Sequence, residues 1–282
     1  MKFLFSLLLV SLLFVGCTDD KTTDNANAAD KKTATAKTDA EKPSGAATSN
    51  SIKLTPFPAS PEFKDAKIES VEYKSGTFNF GVGGGSYKLG AQTSDAAEKM
   101  CANSAKGQHI HLIMNNEPYA AKYDASFAYD LPDGPQVMLA FLSRSYHESI
   151  KTDEANYCRI IDVKDKTIVK TLAYTAPSVF YSRPKGTYKG KKDTEKVMLD
   201  FYIKNVEMND DGTFAEGHKI LVNINGQRFD VDKWGPSFIE GLPMGENTVA
   251  LTLLDAKGAP VDSPHSHVSR TFTLEADPIT DQ

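Results

Sequence analysis

Two histidines separated by one residue are the first feature of this sequence that could support chemistry. His109 and His111 lie in the segment His109–Met114, which alternates as a strand does. Side chains in a β-strand alternate between the two faces, so the two imidazoles should share one face with Ile113. The other face, which we expect to point into a core, then carries Ile110, Leu112 and Met114.

A third histidine, His147, follows the next apolar strand and has Arg144 close by in the sequence. Three imidazoles from neighbouring strands would form a Zn or Cu site. Protonated imidazoles together with Arg144 would instead hold a phosphate or a carboxylate. A third interpretation is that these are polar side chains on a solvent-facing sheet, without a ligand.

The remaining histidines, His218, His265 and His267, fall at matching places in the second half of the chain. Each half has a strand led by Gly and His, a Leu-Pro-x-Gly turn, an apolar strand and a late His. We interpret this order as an internal repeat. Aligning His218 with His109 places Ile220 where His111 stands, so the first copy should carry the better site and the second-half histidines are weaker candidates.

This shared order of strands, turn and histidines resembles a small family of His-containing immunoglobulin-like modules of unknown function in exported bacterial proteins. The resemblance covers about half of each repeat, and it implies a fold but no activity. Many short strands with Gly and Pro turns, among them the hairpin signal Asn225-Gly226, favour the same class. We therefore predict an all-β protein with two antiparallel immunoglobulin-like β-sandwich domains.

The composition divides the chain into five parts. Residues 18–55 are mostly polar and small and predict a disordered stalk, whereas residues 182–196 are basic and contain Pro and Gly, as a linker does. The sandwich domains should then span residues 56–181 and 197–277. The net charge of -5 gives no signature of nucleic-acid binding.

The first seventeen residues resemble a bacterial lipoprotein signal. Lys2 precedes an apolar run that is short for a membrane span, and Leu13–Cys17 resembles a lipobox, although Phe14 stands where the family usually has Leu. The resemblance implies that Cys17 is acylated after cleavage and anchors the protein to a membrane of the cell envelope. The acidic start Thr18–Lys21 resembles tags that send lipoproteins to the cell surface.

Cys101 and Cys158 are the cysteines that remain beyond Cys17. In an exported protein such a pair predicts a disulfide. The alternative is a soft copper site in which Cys101, Met100 and Met114 join the histidines.

No nucleophile or metalloprotease motif is present in the sequence, so we do not expect an enzyme. Three functions stay open. The first is a non-catalytic binding module for an envelope protein, peptide or glycan. The second is a Zn- or Cu-binding envelope protein that uses the His cluster, and the third is a phosphate or phosphopeptide binder that uses the histidines with Arg144.

Overall fold

The alternating and apolar segments of the sequence form strands throughout the computed structural model, which describes residues 51–277. Within this described part of the chain, helical structure is confined to α1 (Gly190–Thr194) and two single 3-10 turns, Asp153–Ala155 and Ala215–Gly217. The strands are β1 (Lys53–Pro56), β2 (Lys67–Lys74), β3 (Thr77–Gly83), β4 (His109–Met114), β5 (Ala120–Lys122), β6 (Ser126–Ala128), β7 (Gly134–Ser143), β8 (Asn156–Lys164), β9 (Thr167–Ala173), β10 (Ser178–Arg183), β11 (Gly186–Lys189), β12 (Lys196–Lys204), β13 (Lys219–Ile224), β14 (Gln227–Val231), β15 (Ser237–Glu240), β16 (Gly245–Leu254) and β17 (His267–Glu275).

The first sandwich packs a three-stranded sheet, in the order β2-β3-β6, against a five-stranded sheet, in the order β5-β4-β7-β8-β9. The apolar face of β4 supplies Ile110, Leu112 and Met114 to the core between them, as the alternation predicts. Burying one such side chain contributes about 1.5–3 kcal/mol, and this contribution fixes the strand register.

The second sandwich packs a four-stranded sheet, β1-β15-β12-β10, against a five-stranded sheet, β11-β17-β16-β13-β14. Its core contains Val222 and Ile224 from β13 and Leu251 from β16. The predicted fold class, all-β with two sandwiches, is confirmed.

A further apolar cluster joins the two sandwiches, which belong to one compact unit. Ile113 and Phe141 from the first sandwich pack in this cluster with Phe180 and Tyr202 from the second. The rings of Phe141 and Tyr202 stack with centroids 4.8 Å apart. Strand β4 and most of β7, at the centre of the five-stranded sheet, are therefore covered on both faces, which explains why every residue of β4 is buried.

The two sandwiches share their backbone design. Asn115 and Asn225 both follow the first central strand with a positive φ, 51° and 50°. Each side-chain oxygen accepts a hydrogen bond of 2.8 Å from a backbone amide near the start of the strand paired with it in the sheet, Val137 of β7 or Thr248 of β16. Strands β7 and β16 are both ten residues long, and the loops that follow them, 144–155 and 255–266, have equal length. These matches support the internal repeat.

The segment predicted as a linker is built into the second sandwich instead. Residues 182–196 contain the end of β10, all of β11, α1 and the first residue of β12. Strand β11 pairs in parallel with β17, and this pairing satisfies the backbone of a segment whose Pro, Gly and Lys content suggested an exposed connection. Strand β1 likewise extends the ordered region into the end of the predicted stalk, because Lys53–Pro56 pairs with β15.

No helix within residues 51–277 is long and apolar enough to cross a membrane. The predicted signal, Cys17 and the stalk up to residue 50 lie outside the described residues.

Candidate metal site between the sandwiches

The three histidines of the first repeat converge on one point. Strand β4 holds His109 and His111 on the face that meets the second sandwich, and the loop after β7 brings His147 to them. His109 Nε2 lies 2.9 Å from His111 Nε2 and 3.0 Å from His147 Nδ1. One nitrogen of each ring lies within 4.8 Å of the other two.

These side chains are not the solvent-facing polar residues of the unliganded interpretation. His109 and His111 are fully buried and His147 is 9% exposed. This face of the sheet would be exposed to solvent in an isolated sandwich, but here the second sandwich covers it. Buried imidazoles need partners, so the cluster requires a physical explanation.

The hydrogen bond to Gly107 sets the tautomer of His109. The Gly107 carbonyl can only accept, so His109 Nδ1–H donates to it at 2.8 Å. In a neutral ring this leaves a lone pair on Nε2, which is the atom that points to the other two imidazoles. Metal-ligating histidines show this arrangement, in which a carbonyl holds the outer nitrogen and the inner nitrogen is free to coordinate.

His111 is oriented by residues of both sandwiches. Its Nδ1 lies 3.2 Å from the hydroxyl of Ser182 in β10, and its ring stacks on Tyr119 with centroids 3.7 Å apart and an interplanar angle of 8°. Ser182 is the extra residue of a β-bulge, since Tyr181 pairs with Phe201 and Arg183 pairs with the preceding residue, Asp200. A bulge redirects a side chain, and here the redirected hydroxyl meets the imidazole.

His147 reaches the cluster from an unusual backbone conformation. Its φ is 73°, in the left-handed region that non-glycine residues seldom occupy. Its amide donates to Arg144 O at 2.9 Å, and the matching turn of the second repeat closes with the same bond, 2.9 Å, from Gly258 to Asp255. The second repeat thus places Gly258, with φ 77°, where the first repeat places His147. The first repeat tolerates strain at a position that suits glycine, and it gains an imidazole in the cluster.

Burial and neighbouring positive charge keep the three imidazoles neutral. Desolvation lowers the pKa of His109 to about 4, and the positive charge of Arg183 acts in the same direction. The pKa values of His111 and His147 are also lowered, first by burial and then by nearby charges that include Arg183. Neutral imidazole is the form that binds a metal ion.

The nitrogen spacing fits a small metal ion. Bonds of about 2.0–2.1 Å at tetrahedral angles place ligand nitrogens roughly 3.3 Å apart. The spacings of 2.9 and 3.0 Å around His109 are a few tenths of an ångström shorter, and all three nitrogens lie within 4.8 Å of one another. Tetrahedral coordination would therefore require the three rings to adjust their positions around the ion. Three imidazole nitrogens form a ligand set for Zn or Cu, and within residues 51–277 no Cys, Asp or Glu joins the group.

Arg144, predicted as the partner of these histidines, lies outside the cluster. Its guanidinium pairs with Glu148 at 3.5 Å and also donates to Pro61 O at 2.5 Å. The basic residues that act on the cluster are Arg183 and Lys185, which sequence reasoning assigned to the linker. The Ser182-Arg183 pair carried no sequence signal, because its place at the cluster depends on how the sandwiches pack.

The weaker candidates do not form a second cluster. In the strand pairing, Lys219 takes the place of His109 and Leu221 takes that of His111. The predicted alignment of His218 with His109 is therefore wrong by one residue. An error of one residue exchanges the two faces of a strand. His218 Nδ1 donates to Ala215 O, and His267 Nδ1 lies 2.8 Å from Thr252 Oγ1. His265 packs against Phe180, with ring centroids 5.5 Å apart.

The cysteine predictions are both wrong. Cys101 and Cys158 are free and buried in different clusters, Cys101 with Tyr146 and Cys158 in the cluster that joins the sandwiches. Burial raises the pKa of each thiol to about 12, as expected for inert core cysteines. The soft copper site is not assembled either, because the Met100 side chain is largely exposed and Met114 points into the core on the opposite face of β4.

No protein-family model and no curated protein matches the sequence. Among solved structures, the chain is similar to the fibronectin(III)-like modules of Clostridium thermocellum CbhA, with 10% identity, a TM-score of 0.27, and coverage of 82% of this chain and 98% of that one. It is also similar to the central fibronectin-III array of RIM-binding protein, with 11% identity, a TM-score of 0.27, and coverage of 79% and 74%.

Proposed function

We propose that this protein is a lipid-anchored protein of the bacterial cell envelope that binds one Zn or Cu ion through His109, His111 and His147. The observation that supports metal binding is the convergence of three buried, neutral imidazoles on one point, with the outer nitrogen of His109 held by a carbonyl. The anchor is inferred from the resemblance of Leu13–Cys17 to a lipobox.

The burial of the site supports holding a metal ion over turning over a substrate. His109 and His111 are fully buried, and Tyr119 and Phe141 cover the ring of His111. A metal ion there would have three protein ligands and one position for a small exogenous ligand. We therefore favour a non-catalytic role in metal binding.

The phosphate-binding alternative is disfavoured on two grounds. It requires charged imidazoles, whereas burial keeps these neutral, and it requires Arg144, whose guanidinium is paired with Glu148. A binding module for an envelope protein, peptide or glycan stays compatible with the fold, and the metal site would then stabilise the junction between the sandwiches.

The test is metal content and affinity of the full chain, purified in detergent, measured by elemental analysis and by competition with chelators of known affinity. We expect one Zn or Cu ion per chain, and loss of that ion in His109→Ala and in His111→Ala. The matched control is His267→Ala, which removes an exposed histidine of the second repeat. Wild-type protein that folds but binds neither metal, or His variants that keep full affinity, would exclude the proposal.

A further inference from the structure

The guanidinium of Arg183 is buried without a carboxylate partner. Arg183 is 8% exposed, and its Nε has no hydrogen-bond partner. Its Nη1 donates to the Tyr188 hydroxyl at 2.8 Å. Within residues 51–277 no carboxylate lies within ion-pair distance of it. A buried charge without a counter-ion is costly, and in native proteins it indicates a missing partner.

Two carboxylates near Arg183 have other partners. Asp200 lies opposite Arg183 in the strand pairing, but its oxygens accept from Ser149 and pair with Lys151 at 2.8 Å. Glu148 pairs with Arg144. The faces of Tyr119 and Tyr188, each with its ring centroid 5.7 Å from Arg183 Cζ, offset only part of the charge.

A small cavity lies against this guanidinium. It is lined by Cys101, Ala102, Tyr146, Arg183, Tyr188 and Met198. About 10 Å³ is available there to the centre of a water-sized molecule, so the cavity holds a single small species. Its lining residues include no carboxylate and no second cation, and Ala102 and Met198 are apolar.

The hydroxyl of Tyr188 adds a second donor. It accepts hydrogen bonds from Arg183 Nη1 and, at 3.2 Å, from the backbone amide of Lys185. Since both of these contacts use its oxygen lone pairs, its proton is available for an acceptor. The cavity thus has a fixed positive charge and an O–H donor, which together favour an anion over a water molecule.

We propose that this cavity binds one small monovalent anion of the halide class, with chloride as the probe, which serves as the counter-ion of Arg183. The site is separate from the three imidazoles, and the inference stands on Arg183 and the cavity whether or not the histidines bind a metal. A bound anion would neutralise the positive charge beside the histidine cluster.

The test is thermal unfolding of the full, chelator-treated chain in detergent at constant ionic strength, with chloride replacing gluconate, which is too large for the cavity. Because an anion that binds only the folded state stabilises it, we expect the melting temperature to rise by at least about 2 °C between about 1 and 300 mM chloride. Bromide should reproduce the rise. A wild-type melting temperature that does not depend on chloride would overturn the proposal.

Arg183→Met replaces the guanidinium with an uncharged side chain of similar length. It should abolish the dependence of the melting temperature on chloride. Arg228→Met is the matched control, since Arg228 is exposed on β14, and it should keep the full dependence. If Arg183→Met does not fold, Tyr188→Phe removes only the second donor and should raise the chloride concentration needed for half of the effect several-fold. Equal chloride dependence in wild type and in the variants of Arg183 or Tyr188 would contradict the inference.

Discussion

At the scale of single residues, His147 occupies a backbone conformation that favours glycine, and its imidazole belongs to the candidate metal site. Its counterpart in the second repeat is Gly258, and both occupy the left-handed region with φ 73° and 77°. Glycine has no Cβ and adopts this conformation without strain, so the second repeat shows what the turn prefers. The first repeat has an imidazole at that position, and the imidazole lies 3.0 Å from His109.

The prediction at this scale compares His147→Gly with His147→Ala in the metal-free protein. Both remove the imidazole, so both should lose metal binding. His147→Gly should be the more stable variant by about 1 kcal/mol, the reverse of the usual order, because alanine keeps the Cβ that strains a positive φ. Urea unfolding of both variants measures the difference. An alanine variant as stable as the glycine variant would show that the turn relaxes and stores no strain.

At the scale of elements, the bulge in β10 connects the second sandwich to the candidate site. Strand pairing skips Ser182 between Tyr181 and Arg183, and this places the Ser182 hydroxyl 3.2 Å from His111 Nδ1. A regular strand would move the residues beyond this point to the opposite face. The bulge is therefore the feature that lets a strand of one sandwich orient a histidine of the other.

We predict that Ser182→Ala weakens metal affinity by about 10–100-fold while the metal stays bound by the same three histidines. Ser182 positions His111, so the distinguishing readout is affinity with unchanged stoichiometry. Ser178→Ala is the matched control, because Ser178 is a buried serine of the same strand whose hydroxyl contacts Tyr174 and not the histidines. Equal affinities for the two variants would remove the positioning role of Ser182.

At the scale of the whole molecule, the sandwiches form one unit because they share an apolar cluster and buried polar contacts. Asp200 of β12 is fully buried and accepts from Ser149 and Lys151 of the first sandwich. Asn116 of the first sandwich donates to Val179 O at 2.9 Å and accepts from the Tyr181 amide at 3.2 Å. The candidate metal site lies in this junction, so its geometry depends on the complete molecule.

The lipid anchor is a prediction at the same scale. In a bacterial host, we expect the wild-type chain to fractionate with membranes and to carry acyl chains on Cys17, as mass spectrometry of its N-terminal peptide would show. Cys17→Ser should lose the acyl chains, because the acylated thiol is absent. Cys158→Ser is the control, since Cys158 is a buried core thiol, and it should remain membrane-bound. An unmodified wild-type Cys17 in a membrane fraction would rule out the lipoprotein interpretation.

Local pattern in the sequence did not predict β2, β10 or the short strands β1, β5, β6, β11 and β15. It did predict the remaining strands, the fold class, the repeat and the shared face of His109 and His111. These follow from side-chain alternation and turn chemistry, which act over a few residues. His147 was identified as a partner from its place after the next strand. The register of the second repeat was misjudged by one residue, because sparse histidine matches do not fix strand pairing as the apolar core does.

Only the tertiary structure decided what covers the histidine face. Ser182 and Arg183 have the composition of a linker, and their contacts exist because β10 packs against the first sandwich. The separation of Cys101 from Cys158 is likewise a feature of the tertiary packing, whereas the pairing of Arg144 with Glu148 forms within one loop of the first sandwich. Burial at the junction then determined the chemistry, because removing water keeps the imidazoles neutral and leaves the charge of Arg183 in need of a counter-ion.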